Sequence, residues 1–167
     1  MTSLSYAFTP FQIGSETIVR PMLRVILKKG DIEFPTALLV DSGADFSMLR
    51  SDIVEDGFQV NISDLPKCAD TAGIGGLSEV GELVVKVIFT QRNFTFKEDI
   101  PFQVPLDPDK NPPLSILGRT PFFYKYRIDF RMGFTDDPNL GKFVIYPESH
   151  KRESIKYKTV TPQFLRE

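Results

Sequence analysis

Thirteen prolines are spread along this chain of 167 residues, and they constrain its fold more than any other feature. A proline inside a helix removes a backbone donor and clashes with the preceding turn, so we expect no long helix. Short segments rich in Val, Ile, Leu, Phe and Thr lie between turn signals such as Lys29-Gly30-Asp31, which is typical of strands. The predicted strand segments are residues 18–27, 37–40, 83–89, 94–96 and 143–146.

Helical turns are predicted at two places, near residues 52–55 and over residues 121–125, where Pro121 would occupy a first helical position. The length fits one domain, which can bury a core without disulfides or metal. We therefore predict a single mainly-β domain over residues 17–148, an N-terminal segment over 1–16 and a C-terminal tail over 149–167. The tail is rich in basic residues and is expected to be solvated, with a docking role as the alternative.

The charge balance excludes several classes of partner. Twenty basic and 22 acidic side chains give a formal charge of −2, which creates no strong field for nucleic acid or an anionic membrane. No apolar run approaches the roughly 18 residues of a membrane span, and no signal peptide is visible at the start. We expect no membrane partner and a cytoplasmic location.

The single cysteine, Cys68, forms no internal disulfide, and the only histidine, His150, lies near the tail, so Cys68 is not expected to be a nucleophile.

An acidic residue follows a buried-strand pattern in the segment Leu38-Leu39-Val40-Asp41-Ser42-Gly43-Ala44-Asp45. The apolar run delivers the Asp41 carboxylate into a turn where Gly43 lets the backbone bend close to a ligand. An unpaired carboxylate at the end of a buried strand is costly, so a chemical role would explain its position. The alternative is an ordinary turn in which Asp41 bonds nearby backbone amides.

Two further segments, one rich in glycine and one ending in an arginine, follow the Asp41 segment along the chain. Ala72-Gly73-Ile74-Gly75-Gly76-Leu77 is dense enough in glycine for the tip of a mobile hairpin, although it could also be a plain turn. It does not fit a phosphate-binding loop, because a dinucleotide pattern beginning at Gly73 requires glycine where Ser78 stands. The third segment, Leu114-Ser115-Ile116-Leu117-Gly118-Arg119, ends a buried-strand pattern in an arginine. Near a core Arg119 needs a carboxylate partner, for which Asp45 is the natural candidate, although it could equally be exposed.

The ordered set of these three segments resembles the retropepsin-like family of aspartic peptidases. In that family Asp-Thr/Ser-Gly-Ala holds the catalytic aspartate, a Gly-Ile-Gly-Gly tip forms a flap, and an apolar-Gly-Arg segment packs beside the catalytic loop. The resemblance implies a single-lobe closed β-barrel with one short helix and a β-hairpin flap. It implies an aspartic endopeptidase that acts on polypeptides without a cofactor or metal ion.

The resemblance also implies a role for each matching residue. Asp41 would be the catalytic aspartate, Ser42 would bond across the dimer axis, and Gly43 and Ala44 would lie against substrate. Asp45 would contact the substrate backbone and pair with Arg119. The flap would consist of Gly73, Ile74, Gly75 and Gly76. Phe46 departs from the family pattern, because retroviral enzymes often have a polar or acidic residue there.

Because the sequence contains a single aspartate motif, we predict that the active site is formed by two chains. The hydrolysis needs one carboxylate as base and another as acid, yet the sequence has one Asp-Ser-Gly, and the nearest second candidate, Asp70-Thr71-Ala72-Gly73, has alanine where glycine is required. An isologous homodimer would supply the missing carboxylate. The alternative is a dimeric peptide-binding module on the same fold with little hydrolysis. A metal enzyme that uses Asp41 and Asp45 is disfavoured, because two carboxylates without a third acid or clustered histidines make a poor cation site.

Overall fold

The computed structural model describes residues 3–68, 71–73, 76–91, 94–131 and 141–147. Within these residues the chain is mainly β, as the sequence predicts. The strands are β1 Leu4–Ala7, β2 Thr9–Ile13, β3 Glu16–Arg20, β4 Met22–Lys29, β5 Ile32–Val40, β6 Ser47–Met48, β7 Thr71–Gly73, β8 Gly76–Ser78, β9 Val80–Gln91, β10 Phe94–Pro105, β11 Ile116–Leu117, β12 Tyr126–Arg131 and β13 Lys142–Pro147.

Helical structure is confined to short turns in the described residues. A π-helical turn covers Ile53–Gly57, 3-10 turns cover Ile62–Asp64 and Pro108–Lys110, and the one α-helix, α1, covers Phe122–Lys125. The two predicted helical positions are therefore correct. Pro121 precedes α1 instead of occupying its first position, a difference within the usual spread of helix boundaries. No helix in the described part of the chain is long and apolar enough to cross a membrane.

Six strands close into a barrel in the order β10-β6-β11-β5-β4-β9, and the long β9–β10 hairpin completes the circle. The predicted strand at 18–27 is two strands, β3 and β4, which are separated by Pro21 and pair with different neighbours. The predicted turn at Gly30 joins β4 to β5 with a φ of 58°, a left-handed conformation that glycine adopts without strain. Two-residue β11 inserts between β5, to which it is parallel, and β6, to which it is antiparallel.

A separate three-stranded sheet lies beside the barrel in the order β1-β13-β12. β1 belongs to the predicted N-terminal segment 1–16, and its Leu4 side chain is 2% exposed within the common core. An aromatic cluster joins this sheet and α1 to the barrel, since the Tyr126 ring lies 4.8 Å from that of Phe122 and 5.8 Å from that of Phe89. The domain boundaries at 16 and 148 stay predictions, and the tail 149–167 lies outside the described residues.

Candidate active site

Asp41 stands immediately after β5, the strand that delivers it. The preceding residue, Val40, is 2% exposed, and its N–H donates to the Pro21 carbonyl at 2.9 Å. The Asp41 N–H donates to the Leu117 carbonyl at 3.1 Å, so the strand is held from both sides up to the carboxylate-bearing residue. Asp41 itself is half-buried. A buried, doubly paired strand therefore presents an accessible carboxylate at its end.

The Asp41 carboxylate also organises its own turn. The Gly43 N–H donates to Asp41 Oδ1 at 2.8 Å, and the Ala44 N–H reaches the Asp41 carbonyl at 3.4 Å. A methyl group at position 43 would lie 3.1 Å from Oδ1, which is tight. The structure therefore contains the ordinary turn that the sequence offers as an alternative, in which Asp41 bonds a nearby backbone amide. The hydrogen bond from Gly43 occupies one lone pair of Oδ1. Ser42 and Gly43 are exposed at the apex of the turn.

The segment after β11 runs alongside this turn and holds it by its backbone. The Arg119 N–H donates to the Ala44 carbonyl and the Thr120 N–H to the Asp45 carbonyl, both at 2.9 Å. Gly118 permits this approach, because a Cβ atom there would lie 2.3 Å from the Phe46 carbonyl oxygen. The positions of Ala44 and Asp45 are thus fixed by a segment that is distant in sequence.

Ser47 is a supporting residue that no sequence pattern indicates. Its side chain is fully buried, and its hydroxyl oxygen accepts a hydrogen bond from the Gly118 N–H at 3.0 Å. This bond satisfies a backbone donor that would otherwise be buried without a partner. The sequence carries no signal for it, because a serine after Phe46 is equally at home in a solvated turn.

Asp45 and Arg119 form the ion pair that the sequence predicts. The Asp45 side chain is 66% exposed and that of Arg119 is 50% exposed, so the pair lies at the surface and not against the core. Exposed ion pairs typically contribute between 0 and about 1 kcal/mol to stability. The pair therefore contributes little to stability, and it links the turn that follows Asp41 to the segment after β11.

The glycine-rich segment forms a hairpin in which β7 pairs with β8 and Gly73 lies opposite Gly76. Ile74 and Gly75, the predicted tip, lie outside the described residues. At the base of the hairpin the Cys68 N–H donates to the Val80 carbonyl at 3.0 Å. Burial, followed by the nearby Glu82 carboxylate, raises the pKa of the Cys68 thiol, which makes it a poor nucleophile.

Phe46 is the largest exposed apolar side chain of the candidate site, with 51% of its surface accessible. Its backbone forms a β-bridge with Thr120, which fixes the position of the residue. Within the described residues, no three His, Cys, Asp or Glu side chains are grouped so as to hold a metal ion. The candidate site consists of one carboxylate, an ion pair and an exposed aromatic ring on a braced turn.

Comparisons with known proteins give little further information. No protein-family model matches the chain, and no curated protein sequence matches it. Among solved structures, the chain is similar to EIAV protease complexed with the inhibitor HBY-793, with 22% identity over 65% of this chain and 88% of that one. The TM-score is 0.39. A similarity this low supports no statement about function.

Proposed function

We propose that this chain is an aspartic endopeptidase that works as a homodimer, with Asp41 of each copy forming the catalytic pair. The observation that carries the proposal is the position of Asp41 at the end of a strand paired on both sides, in a turn fixed by Gly118, Arg119 and Thr120. Catalysis by a positioned carboxylate depends on such rigidity, because small displacements of a reacting group cost large factors in rate.

Electrostatic repulsion would give the two carboxylates different roles. At a separation of ~3 Å and an effective dielectric of ~20, two negative charges repel by roughly 5 kcal/mol, or about 4 pKa units. One proton is then shared over a wide pH range, so that one carboxylate is a base and the other an acid. The two apparent constants belong to the pair. We expect hydrolysis to be favoured at acidic to near-neutral pH, and a rate that keeps rising above pH 9 would contradict the mechanism.

The reaction would proceed by direct attack of water. The ionised carboxylate takes a proton from a water molecule held between the pair, and the oxygen attacks the scissile carbonyl carbon. The protonated carboxyl group donates its proton to the carbonyl oxygen. The tetrahedral intermediate then collapses: the C–N bond breaks, the departing nitrogen takes the proton that the first carboxylate received from water, and a hydroxyl group of the intermediate returns a proton to the second carboxylate. The pair therefore ends with the one proton it began with. This scheme requires no covalent enzyme intermediate and no metal ion.

The substrate in this proposal is an extended polypeptide that adds a strand between the hairpin of β7 and β8 and the turn below it. Gly43 and Ala44 would allow its backbone to approach, and Asp45, held by Arg119, would accept a hydrogen bond from it. Ser42 would brace the two turns across the axis. Phe46 offers an apolar surface beside the pair, which favours apolar side chains near the scissile bond.

Cleavage of a mixed peptide library between pH 3 and pH 8, read by mass spectrometry, tests the proposal. We expect the wild type to cut, pepstatin to inhibit, and Asp41→Asn to be inactive. The asparagine oxygen still accepts the Gly43 N–H, so this variant should fold normally. Asp64→Asn, which changes an exposed carboxyl group in a 3-10 turn, is the matched control and should cut like the wild type.

The competing function, a peptide-binding module, gives a different result. In that case the wild type and Asp41→Asn both bind peptides and leave every one of them intact. Cleavage that persists in Asp41→Asn, or that occurs in a strictly monomeric wild type, would also overturn the proposed mechanism.

A further inference from the structure

Ser115, the residue before β11, joins two parts of the chain that are distant in sequence. It is 3% exposed. Its carbonyl oxygen accepts the Leu39 N–H of β5 at 2.9 Å, and its hydroxyl oxygen accepts the Arg50 N–H at 3.2 Å. Leu39 stands on β5 shortly before Asp41. Ser115 therefore connects the strand that delivers Asp41 to the segment that follows β6.

Strand β5 depends on β11 for the backbone hydrogen bonds on one side of its catalytic end. The Leu39 N–H donates to the residue before β11, and the Asp41 N–H donates to Leu117 within it. However, β11 has two residues, and it meets β6 at a single register pair of Ile116 with Met48. A strand this short has few hydrogen bonds of its own. Its position, and with it that of Asp41, therefore depends on what holds the residues before it.

The residues before β11 include two adjacent prolines, Pro112 and Pro113. Proline has no backbone N–H, so neither residue can donate a hydrogen bond to a neighbouring strand. We call residues 111–115 the proline segment. Because its backbone has few donors, the proline segment must be held mainly through its carbonyl oxygens and its polar side chains.

Arg50 binds carbonyl oxygens of the proline segment. Its Nη1 atom donates to the Pro112 carbonyl at 3.0 Å and reaches the Pro113 carbonyl at 3.4 Å. Its Nε and Nη2 atoms donate to the two carboxylate oxygens of Asp52 at 2.9 and 3.0 Å. Two parallel hydrogen bonds to one carboxylate fix the plane of a guanidinium group. The pairing with Asp52 therefore orients Nη1 toward the two prolines.

The next residue along the chain, Ser51, holds the beginning of the proline segment. The Ser51 N–H donates to Asn111 Oδ1, and Asn111 Nδ2 donates to the Ser51 hydroxyl oxygen, both at 2.8 Å. Ser51 is 1% exposed, so its position is fixed by the packing around it. Arg50 and Ser51 together therefore hold the proline segment from Asn111 to Pro113.

We propose that Arg50 is a positioning residue for Asp41 and that it acts through the proline segment and β11. Loss of its side chain would release the proline segment, loosen β11 and allow the Asp41 carboxylate to move. In this proposal Arg50 acts on the position of Asp41 and not on the substrate. The inference rests on the proposed function for the catalytic role of Asp41, and it names a residue that fixes the geometry of that role.

The effect of Arg50 on activity should exceed its effect on stability. The Arg50 and Asp52 side chains are 33% and 47% exposed, and ion pairs with this much exposure contribute little to stability. By contrast, a displacement of about 1 Å in a catalytic group can lower the rate about 100-fold. We therefore expect Arg50→Met, which keeps an apolar stem but has no donors, to remain folded and to lose most of its activity.

Two measurements on Arg50→Met test the proposal. In peptide cleavage, kcat should fall about 10- to 100-fold while KM stays within about twofold of the wild-type value, because Arg50 does not bind the substrate. In amide hydrogen exchange followed by NMR, the Leu39 and Asp41 N–H groups should exchange at least about tenfold faster, because their acceptors become mobile. Sedimentation at the assay concentration establishes that the variant and the wild type are dimeric to the same extent.

Restoring the guanidinium group should restore activity. Arg50→Ala leaves space for a small guanidinium ion, so millimolar ethylguanidinium should raise the kcat of this variant several-fold. It should leave the wild type and Arg50→Met unchanged, because their side chains fill that space. Arg50→Lys should recover only part of the activity, since one ammonium group cannot make the paired bonds to Asp52 and also reach Pro112.

Lys28→Met is the matched control. The ion pair of Lys28 with Glu33 lies at the other end of β5, and its side chains are 37% and 51% exposed, close to the values for Arg50 and Asp52. This variant also replaces a paired cation by methionine, but it leaves the proline segment intact. It should keep the wild-type kcat, KM and exchange rates. Circular dichroism of all the variants establishes that they are folded.

The outcomes separate this inference from the proposed function. If the wild type cuts peptides and Arg50→Met changes kcat alone, the exchange rates alone, or only the melting temperature, the inference is overturned and the peptidase stands. A higher KM with an unchanged kcat would assign Arg50 to substrate binding and also overturn it. If the wild type cuts no peptide but the exchange at Leu39 and Asp41 rises as expected, Arg50 does position Asp41 and the proposed function fails. If the wild type cuts no peptide and the exchange is unchanged, both fail.

Discussion

Gly118 lies where the backbone of the candidate catalytic turn passes too close for any side chain. In Gly118→Ala the new methyl carbon would lie 2.3 Å from the Phe46 carbonyl oxygen and 2.4 Å from the carbonyl carbon. An ordinary carbon–oxygen contact is about 3.3 Å or longer, so the two segments must separate by roughly 1 Å. Both contacting atoms belong to the backbone, so no change of rotamer can relieve the clash.

The expected cost of Gly118→Ala has two parts. Forcing an extra carbon into a closely packed place typically costs about 1–3 kcal/mol. Separation also breaks the bond from the Gly118 N–H to the buried Ser47 hydroxyl, and an unsatisfied buried donor costs about 1–3 kcal/mol more. We expect a loss of about 4 kcal/mol in the free energy of unfolding, or roughly 12 °C in the melting temperature. Urea denaturation and calorimetry measure both quantities.

Gly43→Ala is the matched comparison within the same site. Its methyl group would meet only Asp41 Oδ1, at 3.1 Å, and the position is exposed. The unfolding free energy should change by less than about 1 kcal/mol. Peptide cleavage should fall about tenfold or more, because the carboxylate is displaced by a few tenths of an ångström. A Gly118→Ala protein that melts within 2 °C of the wild type would refute the reasoning, as would a Gly43→Ala protein that is the less stable of the two.

Two further predictions concern charge and pH. A double-mutant cycle with Asp45→Asn and Arg119→Gln, measured by urea denaturation, should give a coupling free energy below about 1 kcal/mol. The reason is that both side chains are at least half exposed. A coupling free energy above about 2 kcal/mol would contradict this prediction. Burial raises the pKa of Tyr6 to about 12, and burial together with a hydrogen bond to Glu98 raises that of Tyr126. Both tyrosines hold their protons more tightly when folded, so their contribution to stability is complete below pH 10 and is lost as the pH rises through the folded-state values. Between pH 9 and pH 12 the wild type should therefore lose stability more steeply than the Tyr6→Phe/Tyr126→Phe protein, and equal slopes would be contrary evidence.

Features encoded by neighbouring residues could be predicted from the sequence. The strand segments, the turn at Gly30 and the position of α1 follow from apolar runs, turn residues and proline placement. The position of Asp41 at the end of a buried strand follows from the apolar run before it. The need of an arginine for a carboxylate predicts the pairing of Asp45 with Arg119, and the structure contains that pair. Its exposure could not be inferred, because it depends on elements that are distant in sequence.

Features that depend on pairing between distant segments could not be predicted. β11 has two residues, too few for any periodicity, yet it separates β5 from β6 and completes the barrel. The Ser5 N–H of β1 donates to the side-chain oxygen of Gln91 at the end of β9, and no sequence pattern indicates this contact. The three-stranded sheet joins β1 to strands near the other end of the chain, and no local pattern specifies that register.

The residue that most constrains the candidate catalytic turn lies outside that turn. Ser42, Gly43, Asp45 and Phe46 are all exposed, so hydrophobic burial cannot hold this turn rigid. Its rigidity comes from backbone hydrogen bonds to the residues after β11, and those bonds require the two segments to approach within the space of a missing side chain. Gly118 provides that space. A turn that must present a carboxylate to solvent, and still remain fixed, therefore depends on a buried glycine in a different segment of the chain.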